Sequence, residues 1–370
     1  MPPFYFRQKT WYRLLLWLML IVSLGILWKI FTNVLIDPNY IPVDDFGQFW
    51  AAGQLNFQGE NPYSLPERLS TNLNPPVTLL FFQFLAELDP DTIYHIWRII
   101  SFILYIVLVA ILAYSYRNPE TPTRVVLAFC MTGIWYTLLM GQMYVFLLLL
   151  CVGAWLFLKS GKQLAAGLLI GLLAAVKPNF LVWPGLLLFI GAWPTAAVAF
   201  GMVIFLSILP LVSYSSVVYV QWFEMLVIYK AAPLATNMSI YGLTSRLGLP
   251  TLGLILALVL LVFTAYMVWR KHPNVLEVSS LAIVVALLAT QYAWVGYAVL
   301  LLPIYFSRDW SWQLVASAAL LCVPSIIVFY IGRQSDLAQI AAGMIYCSAL
   351  VLVLWETVKT VWQAEKPKYS

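Results

Sequence analysis

Long apolar runs follow one another along the chain, separated by short polar breaks. A helix needs roughly 20 apolar residues to cross the hydrocarbon core of a bilayer. Backbone in lipid must satisfy its own hydrogen bonds, so the runs predict helices. The pattern places spans near 12–36, 92–116, 124–140, 143–160, 163–176, 180–193, 194–214, 250–269, 275–291, 293–306, 312–331 and 336–358. Several fall short of about 17 residues, which predicts broken or re-entrant segments and roughly 10–12 spans in all. The expected fold is an all-α polytopic bundle, a single integral membrane domain over residues 1–370, with no internal repeat.

Composition agrees with the pattern. Hydrophobic residues make up 63% of the chain and charged residues 9%, with a mean hydropathy of +0.89. Soluble domains carry about 25% charged residues. A soluble domain, a disordered chain and a disulfide-stapled secreted scaffold are therefore excluded. The 4 cysteines (Cys130, Cys151, Cys322, Cys347) sit inside apolar runs without CxxC spacing, and the 2 histidines, His95 and His272, form no ligand cluster. A protein-bound metal is not expected. No basic cluster interleaved with aromatics is present, so no nucleic-acid partner is expected. The basic N-terminus leads into an apolar run without a small-residue cleavage site, which predicts a retained first span.

The basic residues orient the spans. With both termini cytoplasmic, only Arg68, Lys177, Lys230, Arg246 and Arg333 of the 20 Lys and Arg fall outside, and Lys29 and Arg98 fall within spans. The rest lie inside, as the positive-inside rule requires of a plasma-membrane protein. Two long connections then face the exterior, 37–91 and 215–249. Long ordered loops usually carry function, which places the working side there.

The first exterior loop is acidic. After Asp44 and Asp45, the residues Phe46, Phe49, Trp50, Gly53 and Phe57 recur at helical spacing and predict a short interfacial helix ended by Gly59. An Asp at the start of a helix is commonly a cap worth about 1 kcal/mol. Two in succession leave room for one to cap and the other to enter a cavity, and spacing alone does not choose between them. Asn61-Pro62-Tyr63 reads as a turn, and Asn74-Pro75-Pro76 introduces a second short helix over 77–88. Lys177 interrupts an apolar stretch directly before Pro178. An ionisable group at such a break faces a pathway or cavity, or else snorkels to the interface. The second exterior loop brings Asn237, Ser239 and Arg246; Asn237-Met238-Ser239 also matches a glycosylation acceptor pattern, too common by chance to argue from. Most of the aromatic residues suit interfacial belts, while Trp50, Tyr63 and Tyr241 also suit sugar stacking or a prenyl groove.

A carboxylate beside a cationic pocket suits transfer of a group from an anionic, membrane-embedded donor. The carboxylate takes a proton from an acceptor hydroxyl and the cations hold a phosphate leaving group. A phosphate leaves as a stable anion, so no strong general acid is required.

The chain resembles glycosyltransferase family 87, a branch of the GT-C superfamily of membrane glycosyltransferases. The resemblance rests on Asp45-Phe46-Gly47-Gln48-Phe49-Trp50-Ala51-Ala52 and on Gly59 through Tyr63. It continues through Asn74-Pro75-Pro76, with Asn where the family has Tyr, and Gly141-Gln142-Met143-Tyr144, with Tyr where it has Asn. Further matches are Gly171 through Pro178, and Asn237, Ser239, Gly242 and Arg246. It implies a GT-C-like bundle and an inverting transfer of a hexose, mannose first among them, from a polyprenyl-phosphate sugar to a glycolipid or glycan acceptor. It implies no cofactor and no protein-bound metal. Asp45 is then the general base, and Asp44, Asn61, Tyr63, Gln142, Lys177, Asn237, Ser239 and Arg246 contact substrate. Some members carry histidines after a Trp in a late span; here Gln291 through Tyr297 contains none. Asp89-Pro90-Asp91 has the letters of a metal-binding pair but reads as a helix start. The competing functional class is a transporter or flippase of lipid-linked glycan, which requires a polar pathway and is often built from repeats. A non-catalytic membrane subunit is the third reading.

Overall fold

The structure is a computed structural model and describes residues 45–64, 72–229 and 234–363, with scattered helical positions between 17 and 32. The described residues are all-α, and their one β-type contact is an isolated bridge between Asn237 and Trp294. In chain order the helices are α1 (Asp45–Phe57), α2 (Leu79–Leu85), α3 (Pro90–Ser115), α4 (Thr121–Cys130), α5 (Thr132–Met140), α6 (Tyr144–Lys159), α7 (Gln163–Val176), α8 (Val182–Phe189) and α9 (Trp193–Tyr214). There follow α10 (Val217–Ile228), α11 (Ile240–Arg246), α12 (Pro250–Lys271), α13 (Val275–Leu288), α14 (Leu302–Ser307), α15 (Trp312–Leu321), α16 (Ser325–Gly332) and α17 (Asp336–Gln363). Short 3-10 segments over Pro76–Thr78, Pro178–Leu181 and Val295–Leu301 precede α2, α8 and α14.

The apolar runs after residue 90 all become helices, and α6 and α7 fall within a residue or two of the expected bounds. Length separates them, however. Among the described residues five spans are long and apolar enough to cross a membrane, and six if α15 and α16, bent by 71° at their break, count as one. The remaining apolar helices have 10–17 residues, the class expected to be broken or re-entrant. The expected span at 12–36 lies for the most part outside the described residues. The second exterior loop is not a plain connection, since it contains the 12-residue helix α10.

Two compact units can be distinguished. One comprises 37–107 and 137–232, the other 1–36, 108–136 and 233–370. In the first unit α1 packs on α2. Gly53 makes this possible, because a Cβ there would stand 2.7 Å from the carbonyl oxygen of Phe82. Phe49 and Phe82 stack at 4.6 Å beside that contact. The stripe read from sequence is only partly an inward face: Phe46, Phe49 and Gly53 are buried, whereas Phe57 is 68% exposed. Gly59, at φ +76°, ends the helix as expected. Elsewhere in this unit α7 lies along α9 through two glycines, Gly167 and Gly171. This is the small-residue spacing that brings helix backbones together in membranes.

In the second unit α13 is buried from Val278 to Leu288, packed against α12 and α17. Asn274 and Glu277 form a capping box at its start. Arg124 is buried as well, donating to the carbonyl oxygens of Phe306 at 2.5 Å and Arg308 at 2.7 Å.

The α7–α9 contact yields a paired test. A Cβ at Gly171 would meet the carbonyl oxygen of Ala199 and the Cβ of Met202, each at 2.6 Å, whereas Gly201 on α9 has nothing within 4 Å. Gly171→Ala is expected to lower stability by about 1–3 kcal/mol through overpacking. Gly201→Ala is expected to be neutral or to stabilise by up to about 1 kcal/mol through helix propensity. Thermal melts of the detergent-solubilised protein check both.

Candidate active site

The site assembles where three chain breaks meet within the first unit. Asp45 opens α1, and its half-buried carboxylate accepts from two side-chain amides. Gln48, one turn along the same helix, donates Nε2 to Oδ1 at 2.6 Å. Gln142, distant in sequence, donates Nε2 to Oδ2. A carboxylate can only accept, so each amide turns its NH2 group inward and its oxygen away.

The end of α5 delivers Gln142. Gly141 follows the helix at φ +61°, and the Gln142 N–H returns to the Thr137 carbonyl at 2.9 Å, a helix-ending turn that reverses the chain. Gly141 is also sterically required: a Cβ there would lie 2.5 Å from the Cβ of Phe46 and 2.9 Å from the Tyr94 ring. Tyr94 is fixed in turn by donating its hydroxyl to the Leu139 carbonyl at 2.6 Å. Gln142 is 5% exposed, and its Oε1 has no hydrogen-bond partner among the described residues.

Lys177 enters at the end of α7. The residue before a proline is pushed out of the helical region, and Lys177 is extended at φ −135°, ψ 92°. Its Nζ donates to Asn74 Oδ1 at 2.6 Å and lies 6.0 Å from the centre of the Tyr144 ring. Burial lowers its pKa from the ordinary lysine value to about 8, and the negative charge of Asp45 pulls the other way. Tyr229, just past α10, is raised by burial first and by Asp45 second, so its phenol also stands in the field of that carboxylate.

Asn74 belongs to a braced loop. Asn72 Oδ1 accepts from the Asn74 backbone N–H at 3.1 Å and from its side chain at 2.9 Å. Tyr63 donates its hydroxyl to the Asn74 carbonyl at 3.1 Å, and Trp222 donates its indole N–H to the Leu73 carbonyl at 3.2 Å. Asn61 Oδ1 accepts from the Tyr63 N–H at 2.9 Å, as the expected turn requires. Asn61 and Tyr63 therefore brace the loop that holds Asn74.

The structure thus brings together Asp45, Gln142 and Lys177, with Asn61 and Tyr63 in support. Asp44 lies outside the described residues. Asn237, Ser239 and Arg246 gather in the second unit as a cluster of their own. Asn237 Oδ1 accepts from Ser239 and from the Ala293 N–H at 3.1 Å, while its Nδ2 donates to the Gln291 carbonyl at 2.8 Å. The Ser239 hydroxyl caps α11 by accepting from the Gly242 N–H at 2.9 Å. Arg246 is buried and donates to the carbonyls of Leu234, Asn237 and Gly343. Asp89 begins α3 by accepting from the Thr92 N–H at 2.9 Å, as its helix-start reading requires. No group of three or more His, Cys, Asp or Glu side chains is placed to hold a metal ion among the described residues.

Sequence reasoning missed Gln48, Asn72 and Tyr229. The i, i+3 spacing of Asp45 and Gln48 on a predicted helix was a usable signal. Nothing local marks Asn72 or Tyr229.

A family model described as glycosyltransferase family 87 matches residues 72–291. The match includes Asn74, Gln142, Lys177, Asn237, Ser239 and Arg246, and Asp45 precedes it. A search of curated proteins gives no match.

The Gly141 turn is open to test. A left-handed residue with a Cβ costs about 1–2 kcal/mol, and here the clash with Phe46 adds to it. Gly141→Ala is expected to lower the melting temperature. Gly141→Asn, which tolerates the backbone conformation but carries the same Cβ, is expected not to restore it.

Proposed function

The chain belongs to glycosyltransferase family 87, and from that premise we propose that it transfers a hexose, with mannose as the first choice, from a polyprenyl-phosphate sugar to a glycolipid or glycan acceptor. The transfer inverts the anomeric centre, occurs at the exterior face of the plasma membrane, and uses Asp45 as general base. The observation that carries this reading is the Asp45 carboxylate, oriented by Gln48 and Gln142 with the Lys177 cation in its field.

In this mechanism the acceptor hydroxyl gives its proton to Asp45 as its oxygen attacks the anomeric carbon. The bond from that carbon to the phosphate oxygen breaks, and its electron pair leaves with the prenyl phosphate. Two amide donors orient the carboxylate while leaving it lone pairs for the incoming proton. Lys177 stabilises the charge that develops on the leaving phosphate. The Gln142 Oε1 accepts a substrate hydroxyl, which removes the cost of about 1–3 kcal/mol of a buried acceptor left unpaired. Asn61 and Tyr63 keep Lys177 in place through Asn74. Asn237, Ser239 and Arg246 shape the second exterior loop. The bias of basic residues toward the opposite side supports the exterior placement.

Two outcomes test the assignment. Asp45→Asn is expected to cut sugar transfer by at least about 10²-fold, the contribution of a general base, while the protein still inserts and purifies as a single species. Transfer near the normal rate would remove Asp45 from the role, and sugar-lipid translocation without transfer in vesicles would favour a flippase. The second outcome is a pH profile. Lys177, with its pKa lowered to about 8, loses its charge in the folded protein as pH rises through that value. Transfer is expected to fall on the alkaline side of pH 8. Lys177→Arg, if active, is expected to lose that limb because a guanidinium keeps its charge.

A further inference from the structure

The segment that joins α13 to the Val295–Leu301 turn is unusually well held. The Met238 N–H donates to the Ala293 carbonyl at 2.7 Å, and the Val295 N–H donates to the Thr236 carbonyl at 3.0 Å. Asn237 adds its contacts with Ala293 and Gln291 from the same side. The backbone between the Gln291 bend and the turn that begins at Val295 is thereby held, with Trp294 extended at φ −65°, ψ 150°. Alternate residues of an extended chain point the same way, and Tyr292 and Trp294 lie side by side with rings 15° from parallel and centroids 6.3 Å apart. Ala293 and Val295 on either side are buried, whereas Tyr292 and Trp294 are half-exposed and Gln291 is exposed.

An aromatic belt facing lipid is the ordinary explanation for such rings in a membrane protein. Here the surroundings differ from those of a belt helix. α13 is buried from Val278 to Leu288, and Val295 to Phe306 is buried without interruption. Tyr292 and Trp294 are half-exposed between these two buried stretches. Two near-parallel rings beside an exposed primary amide have the chemistry of a surface for sugars: C–H faces lie on the rings, and hydroxyls meet the amide.

We propose that Gln291, Tyr292 and Trp294 form a binding platform for a neutral glycan chain, whose rings stack on Tyr292 and Trp294 while Gln291 hydrogen-bonds their hydroxyls. The platform rests on the glycosyltransferase reading only in identifying that glycan as the acceptor.

The test uses the whole protein in phosphatidylcholine nanodiscs with mannotriose as the probe and saturation-transfer NMR as the readout, so binding is measured without turnover. Wild type is expected to bind. Tyr292→Ala and Trp294→Ala are expected to weaken binding by at least about tenfold, roughly one lost stacking contact, and Trp294→Phe to stay within about threefold. Should an alanine variant fail to fold, the exposed Gln291 serves instead, with a several-fold loss expected for Gln291→Ala. Absence of binding by wild type, or unchanged binding in a folded Trp294→Ala protein, overturns the platform. A belt role gives that second result, with a lower melting temperature as the only effect. If Asp45→Asn retains transfer while mannotriose binding still follows Trp294, the base assignment fails and the platform stands.

Discussion

A carboxylate at the edge of a membrane protein has to be kept in place by donors, and most of the geometry in the first unit follows from how Asp45 meets that demand. One donor comes from its own helix and one from the far side of a reversed turn. The cation that offsets its charge comes from a third break, at Pro178. Each part has a separate local cause: helical spacing for Gln48, a left-handed glycine for Gln142, and a proline for Lys177.

Much of the fold was legible because bilayer thickness and backbone hydrogen bonding leave helices little freedom. The bounds of α6, α7 and α9 could be read almost to the residue. What periodicity did not reveal was length in the membrane sense. The run 312–331 reads as continuous, yet it breaks after Leu321 with a bend of 71°, whereas 124–140, interrupted after Cys130, still lies in a stretch long enough to cross, Thr121–Met140. The α10 helix escaped because its apolar content resembled the remainder of a span, while the polar residues after it set the character of the loop.

The site was legible in part. Lys177 stood out as a charge in an apolar stretch, a signal that one sequence does carry, whereas Asp45 was separated from Asp44 only by the family resemblance. The pairing of Gln142 with Asp45 did not stand out, since it depends on a turn that brings distant residues together. The polar residues of the second exterior loop have structural work as well. Asn237, Ser239 and Arg246 attract attention as ligands, yet their hydrogen bonds go largely to carbonyl and amide groups around them. In an apolar protein, irregular backbone needs polar side chains to complete its hydrogen bonding. Those side chains then look functional whatever else they do.

The distance in sequence between the parts of the Asp45 environment bears on how the protein matures. Synthesis yields Asp45 and Gln48 first, Gln142 only after α2 to α5, and Lys177 only once the Gln163–Val176 helix is complete. A nascent polypeptide that stops short of residue 177 therefore carries its carboxylate without the ammonium that balances it. The Asp45 environment is complete only late in biogenesis.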